Sequence, residues 1–176
     1  MRIGIIGAGA MGTLFGYHLA GCCEVTMLDD NDEVARAVAR NGLRVNDEPA
    51  RQVAIAARPH DLYGSRMLFL FVKAVDTLRA LRAFAGELDP ASPVISLQNG
   101  VGNEDAIKTA LGGAVPVILG ITTESSHTIA PGHIRSSEQG NTIIGSASAS
   151  ANVARTVAEL LTGSGLRAAA VYDIRP

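Results

Sequence analysis

Three glycines, Gly7, Gly9 and Gly12 of GAGAMG, follow a short apolar run and precede a stretch with helical spacing. In that context the first glycine makes a tight turn, the second lets a charged group approach bare backbone, and the third lets helix pack on strand. The free N–H groups and positive dipole at the helix start then hold a pyrophosphate. The backbone of Gly7, Ala8, Gly9, Ala10, Met11 and Gly12 is therefore the expected cradle of a dinucleotide. Two carboxylates, Asp29 and Asp30, end the next apolar run. One of them is expected to accept hydrogen bonds from an adenosine ribose. The other reading of these acids, of Asp30 more than Asp29, is a solvated cap on the helix that follows.

Lys73 closes the uniformly apolar MLFLFV, and Asn99 with Gly100 follows the apolar PVISLQ. Both stand at the carboxyl ends of expected strands, the edge at which open α/β sheets bind ligands. Lys73 is expected beside the cofactor, against the alternative that it only extends into solvent. Asn99 can donate and accept hydrogen bonds at once, which suits orienting a carbonyl or hydroxyl beside a nicotinamide; the alternative is an ordinary Asn-Gly turn. His18, His60, His127 and His133 are not paired with Cys or Asp at ligand spacing, and Ser125 and Ser126 lack a nearby base. No metal site and no serine nucleophile are expected.

The elements that must carry these residues alternate strand and helix. Strands are expected at Arg2–Ile6, Glu24–Leu28, Met67–Val72 and Pro93–Leu97. Helices are expected at Ala10–Ala20, at Asp32–Arg40 behind an Asn31 or Asp30 cap, at Ala74–Leu88 and near Asp105–Leu111. Val75, Leu78, Leu81, Phe84 and Leu88 are spaced to form one apolar helix face. Leu43–Val45 and Gln52–Ala56 read as a polar hairpin around Asp47-Glu48-Pro49. Beyond Gly113, turns at Pro-Gly and Gln-Gly join expected strands Val115–Thr122, Gly132–Ser136 and Asn141–Ile144. A small-residue loop (SASASAN), a helix (Ala151–Leu161) and a strand (Leu166–Val171) follow. The fold class is α/β: one domain over residues 1–176, a Rossmann-type doubly wound parallel sheet with an antiparallel extension near the C-terminus.

Composition narrows the partners. The chain has 176 residues, 47% of them hydrophobic, a formal charge of −2, no Trp, three Tyr and four Phe. Nucleic-acid surfaces normally show basic patches with stacking rings, so a small-molecule partner is expected instead. There is no apolar run of 18 residues and no signal peptide at the Met-Arg start, which points to a cytoplasmic protein without a membrane partner. The adjacent Cys22 and Cys23 are expected to be reduced, structural thiols.

GAGAMG, FVKAVDT, LQNGVGNED and the β-rich ILGITTESS…PGHI…NTIIG, in this order and over essentially the whole chain, resemble the N-terminal domain of the ketopantoate reductases (2-dehydropantoate 2-reductases). The resemblance implies reduction of the keto group of 2-ketopantoate, a 2-keto acid, by NAD(P)H in pantothenate and coenzyme A synthesis. It implies that Lys73 lies by the cofactor and that Asn99 contacts substrate near the nicotinamide. It also implies a second, all-helical domain beyond Pro176, supplying a catalytic lysine as general acid. The chain is expected to be the cofactor domain without that half, which would be its partner; a homodimer is an assembly open to it. Two other readings stay open: a small dehydrogenase of the 3-hydroxyacid or pyrroline-5-carboxylate reductase type, and a non-catalytic NAD(H)-sensing module. NADP-using members typically carry an arginine where this chain has Asp30. Asp29 and Asp30 put negative charge near the place of a 2′-phosphate, so NAD(H) is expected over NADP(H). Arg36 and Arg40, on the next helix, are the cations that could oppose this by folding back over a phosphate.

Overall fold

The computed structural model describes residues 1–86, 88–113, 115–137, 139–145, 151–172 and 174. Among these residues, eleven strands and five α-helices follow in the order β1 (Arg2–Ile6), α1 (Ala10–Leu19), β2 (Glu24–Leu28), α2 (Asp32–Asn41), β3 (Arg44–Val45), β4 (Ala54–Ile55), β5 (Met67–Leu70), α3 (Thr77–Arg82), β6 (Val94–Ser96), α4 (Asn103–Leu111), β7 (Val117–Thr122), β8 (Ser126–Ala130), β9 (His133–Ser136), β10 (Thr142–Gly145), α5 (Ala151–Gly163) and β11 (Ala168–Val171). Eight of the strands form one sheet in the order β11-β10-β7-β6-β5-β1-β2-β4. All its pairs are parallel except β10 with β7, which makes the expected antiparallel extension.

Side-chain alternation along the strands divides the core in two. Ile3, Ile5, Met27, Phe69, Ile95 and Ile118 face α1 and α5, where Leu14, Phe15, Leu19, Val157 and Leu161 cover them. Ile6, Leu68, Leu70, Val94 and Val117 face the other way, under Leu81, Phe84, Leu88 and Ile107 of the α3 and α4 segments. Both faces of the central strands are thus dry, as the unbroken apolar runs require.

Gly12 sets how closely α1 meets this sheet. A methyl group on it would overlap the Gly7 carbonyl oxygen at the end of β1. Only a residue without a side chain lets the helix start so near the strand.

Three expectations need correction. The hairpin around Asp47-Glu48-Pro49 is reduced to one bridge, Leu43 with Arg51. β3 instead leaves to pair with β9 in a separate sheet of order β3-β9-β8 packed on α1, and β4 takes the edge of the main sheet. Asn46 directs this departure: it has φ 53°, and its side-chain oxygen accepts from the Ser136 amide, 90 residues away. β8 was not anticipated because SHTIA is almost wholly exposed and carries no apolar alternation. The helix expected over Ala74–Leu88 begins as a 3-10 turn (Ala74–Asp76), and its α-helical part ends at Arg82. Leu81, Phe84 and Leu88 are buried as the spacing implied, but Val75 and Leu78 are 89% and 38% exposed. α4 begins two residues early, at Asn103. The loop expected at 146–150 and the last two residues, Arg175 and Pro176, lie outside the described residues.

Cys22 and Cys23 are free thiols with sulfurs 3.8 Å apart. His18, on α1, donates from Nδ1 to the Ser164 carbonyl at 3.2 Å, joining α1 to the end of α5. Burial, partly offset by that bond, holds its pKa below the ordinary histidine value.

Two outcomes follow from this packing. Gly12→Ala should lower stability by at least about 1–3 kcal/mol, the usual cost of overpacking, measured by denaturant unfolding. A depressed histidine pKa favours the native state above the unfolded-state value and weakens it as pH falls through and below that value. The melting temperature should therefore drop as pH falls from about 7 towards about 5.5, and His18→Gln should flatten that part of the profile.

Candidate functional site

The three glycines of GAGAMG have different reasons to be there. Gly7 has φ 99°, a conformation L side chains rarely adopt, and a Cβ on it would press on the Phe71–Val72 backbone at 3.0 Å. Gly12 is fixed by the Gly7 carbonyl. Gly9 is different: its φ of −68° suits any residue, and nothing stands within 4 Å of where its Cβ would be. Folding does not require a glycine there. It caps the N-terminus of α1 without a side chain, and the first turn holds no acidic residue. No side chain caps the amides of that turn.

β2 braces this loop from the side. Asp29 accepts from the Ala8 amide at 2.6 Å through one carboxylate oxygen and from the Asn31 amide at 2.9 Å through the other. Asn31 caps α2, accepting from Glu33 N at 2.9 Å and Val34 N at 3.4 Å. Asp30 is no helix cap; it projects into an ion pair with Arg79, 2.7 Å from Nη1. The second nitrogen of Arg79, Nη2, stands 3.3 Å from Asp76. These two carboxylates raise the pKa of the guanidinium, Asp30 contributing more.

Gly7, Gly9, Asp29, Asp30 and Lys73 are brought together around one cavity of about 650 Å³. One wall is apolar, from Leu28, Val72, Ala80 and Phe84; the charged part holds Asp29, Asp30, Asp32 and Asp76 against Lys73 and Arg79. Lys73 is exposed and opens the 3-10 turn after β5, its carbonyl accepting from the Asp76 amide at 2.8 Å. Ala8, Ala10, Met11 and Gly12 do not line the cavity. Ala8 is buried, and Met11 receives the Ser126 hydroxyl on its sulfur at 3.4 Å.

Asn99 and Gly100 are not in this cavity. They line a second one of about 540 Å³ at the ends of β6 and β7, with Gln98, Gly102, Leu119 and Ile121. The turn that presents Asn99 is held from below by buried Asn103, whose side-chain amide donates to the carbonyls of Gln98, Asn99 and Gly100 at 3.2, 3.3 and 3.0 Å. Gln98 joins the two halves of the sheet edge. Its side-chain nitrogen donates to Val72 O at 2.7 Å and Thr77 Oγ1 at 2.8 Å, and its oxygen accepts from Ser96 Oγ at 2.9 Å.

Arg79, Gln98 and Asn103 escaped the sequence reading. The i, i+3 spacing of Asp76 and Arg79 was an available signal, as was a second amide beside Asn99. Of the arginines that were considered, Arg36 turns back to its own helix, donating to Asp32 O at 3.1 Å, and Arg40 is exposed; neither lines the cavity. Among the described residues, the only lysine lining either cavity is Lys73. Among the described residues no group of three or more His, Cys, Asp and Glu is placed to hold a metal, and no helix is long and apolar enough to cross a membrane.

The glycine loop, the uncapped helix and the adjoining half-apolar cavity have the shape and chemistry expected of a dinucleotide site. The 2-dehydropantoate 2-reductase of Pyrococcus abyssi is 36% identical over 148 residues, covering 82% of this chain and 47% of that protein. A PanE/ApbA family ketopantoate reductase from Ralstonia eutropha JMP134 superposes with a TM-score of 0.85 at 27% identity, over 97% of this chain and 56% of that one. A D-mandelate dehydrogenase solved with NADH and anilino(oxo)acetate gives 0.87 at 27% identity, over 97% and 57%. The chain spans about half the length of these relatives. Residues 3–149 match the family model described as ketopantoate reductase PanE/ApbA, and the chain belongs to that family.

Proposed function

We propose that this chain is the cofactor-binding half of a reductase that converts 2-ketopantoate, a 2-keto acid, to pantoate with a nicotinamide dinucleotide. The observation that carries the reading is Gly9, a glycine that the fold does not require, at the uncapped start of α1 and on the wall of the larger cavity. A missing side chain with no internal cause is explained by a ligand that approaches the backbone there.

When bound, the reduced nicotinamide supplies hydride to the keto carbon. The chain's own residues do the holding. The bare backbone at Gly7 and Gly9, at the uncapped start of α1, receives the pyrophosphate, the wall of Leu28, Val72, Ala80 and Phe84 takes the adenine, and Asp29 keeps Ala8 and the loop in place. Lys73 stands at the cavity mouth with its positive charge towards the phosphates and ribose. Asn99 orients the substrate carbonyl from the neighbouring cavity, its amide able to donate to that oxygen. The proton that follows hydride comes, by the resemblance, from a lysine of a further helical domain beyond Pro176. The relatives, about twice as long as this chain, leave room for one.

The charges favour NAD(H). Four carboxylates against two cations leave the cavity wall negative, and a 2′-phosphate would enter against that field. The NADH bound by the D-mandelate dehydrogenase supports the same choice.

NADH should bind about five- to thirtyfold more tightly than NADPH in low-salt fluorescence titrations, and Asp30→Arg should reverse the order. Tighter NADPH binding by the unmodified chain would sink this preference. Gly9→Val should weaken NADH binding at least about tenfold (~1.4 kcal/mol) with an unchanged melting temperature; equal affinity would mean that the loop is only a turn. The 176 residues alone should oxidise NADH with ketopantoate at less than about a hundredth of a full-length reductase's rate, since general acid catalysis contributes roughly 10²–10⁴-fold.

A further inference from the structure

We propose that Arg79 is the residue that sets how strongly this site discriminates between the two dinucleotides, by exchanging its partner Asp30 for a 2′-phosphate. The inference rests on the dinucleotide reading above and deepens it. Arg79 comes from α3 and Asp30 from the end of β2, so their ion pair bridges the two segments on either side of the cavity. Asp76 holds the same guanidinium through its other nitrogen.

This network is built to exchange. The Arg79 and Asp30 side chains are 67% and 73% exposed, so neither is locked by packing, and exposed pairs of this kind are weak. A guanidinium keeps its charge under all conditions and matches the geometry of a phosphate with two parallel N–H donors. A dianionic phosphate offers it more negative charge than a single carboxylate. Beside an unphosphorylated ribose, Arg79 stays with Asp30 and cancels its charge. Beside a 2′-phosphate it turns to the ligand while remaining tethered by Asp76. Arg79 therefore limits the penalty that Asp29, Asp30, Asp32 and Asp76 would otherwise impose, and Lys73 is the other cation on that wall. The discrimination is a balance of one mobile cation against fixed acids.

The test is the ratio of dissociation constants for NADPH and NADH, measured by calorimetry on the 176-residue chain and its Arg79→Gln variant. The ratio should rise about three- to tenfold in the variant, as expected for one charge acting through partly screened solvent. Arg79→Lys, which keeps the charge but not the fork, should fall between the two. An unchanged or smaller ratio in Arg79→Gln, with both dinucleotides still bound, would overturn the role of Arg79 and leave the dinucleotide site standing. Failure of the unmodified chain to bind either dinucleotide would remove the site itself. Melting curves separate both results from misfolding.

Discussion

The close approach of Gly12 to the carbonyl of Gly7 is the constraint on which the rest of the site depends. It fixes where α1 begins relative to β1, and so aims the uncapped end of that helix over the edge of the sheet. Everything at the site is arranged around that end. Asp29, just after β2, holds the loop through the Ala8 amide, while Gly7, at positive φ, passes close against the Phe71–Val72 backbone. Because Ile3 and Ile5 are buried against α1 on the side opposite Ile6, the same alternation that stabilises the core also presents the loop at the crevice. Core packing and ligand geometry are here one problem.

The main sheet was legible because its central strands are buried on both faces. Runs such as IGII and MLFLFV need no partner information to be recognised, and their ends locate Gly7 and Lys73 without reference to tertiary structure. The parts that were not legible depend on contacts far apart in sequence. Whether β3 pairs with its neighbour or with β9 turns on the Asn46 bond to Ser136, which no local pattern encodes. The early break after Lys73 has the same origin: Thr77 is buried to receive Gln98 from the end of β6, and the preceding residues are held in a 3-10 turn rather than a full helix.

Electrostatics shows the same division between local and long-range information. Asp29 and Asp30 stand side by side after the end of β2, but their partners differ. One is spent on the loop, with both oxygens occupied by backbone amides, and the other faces an arginine 49 residues away. The cations on the adjacent helix drew attention because they are close in sequence. The one that pairs with Asp30 arrives instead from α3.

Gln98 ties the rims of the two cavities together. It stands at the end of β6, beside the Asn99 turn, yet its side-chain nitrogen holds the Val72 carbonyl next to Lys73. Asn103 fixes the main chain of the same turn from the other side. A rotation of the Asn99 loop would therefore cost Gln98 its bonds to Val72 and Thr77, and a shift of the Lys73 turn would disturb the base of Asn99. Neutral amides are well suited to such a brace, because they form local hydrogen bonds without adding charge beside the acids and cations of the larger cavity. The spacing between the two cavities is held by hydrogen bonds between strand ends, while the charged groups around the larger one stay exposed enough to respond to what enters.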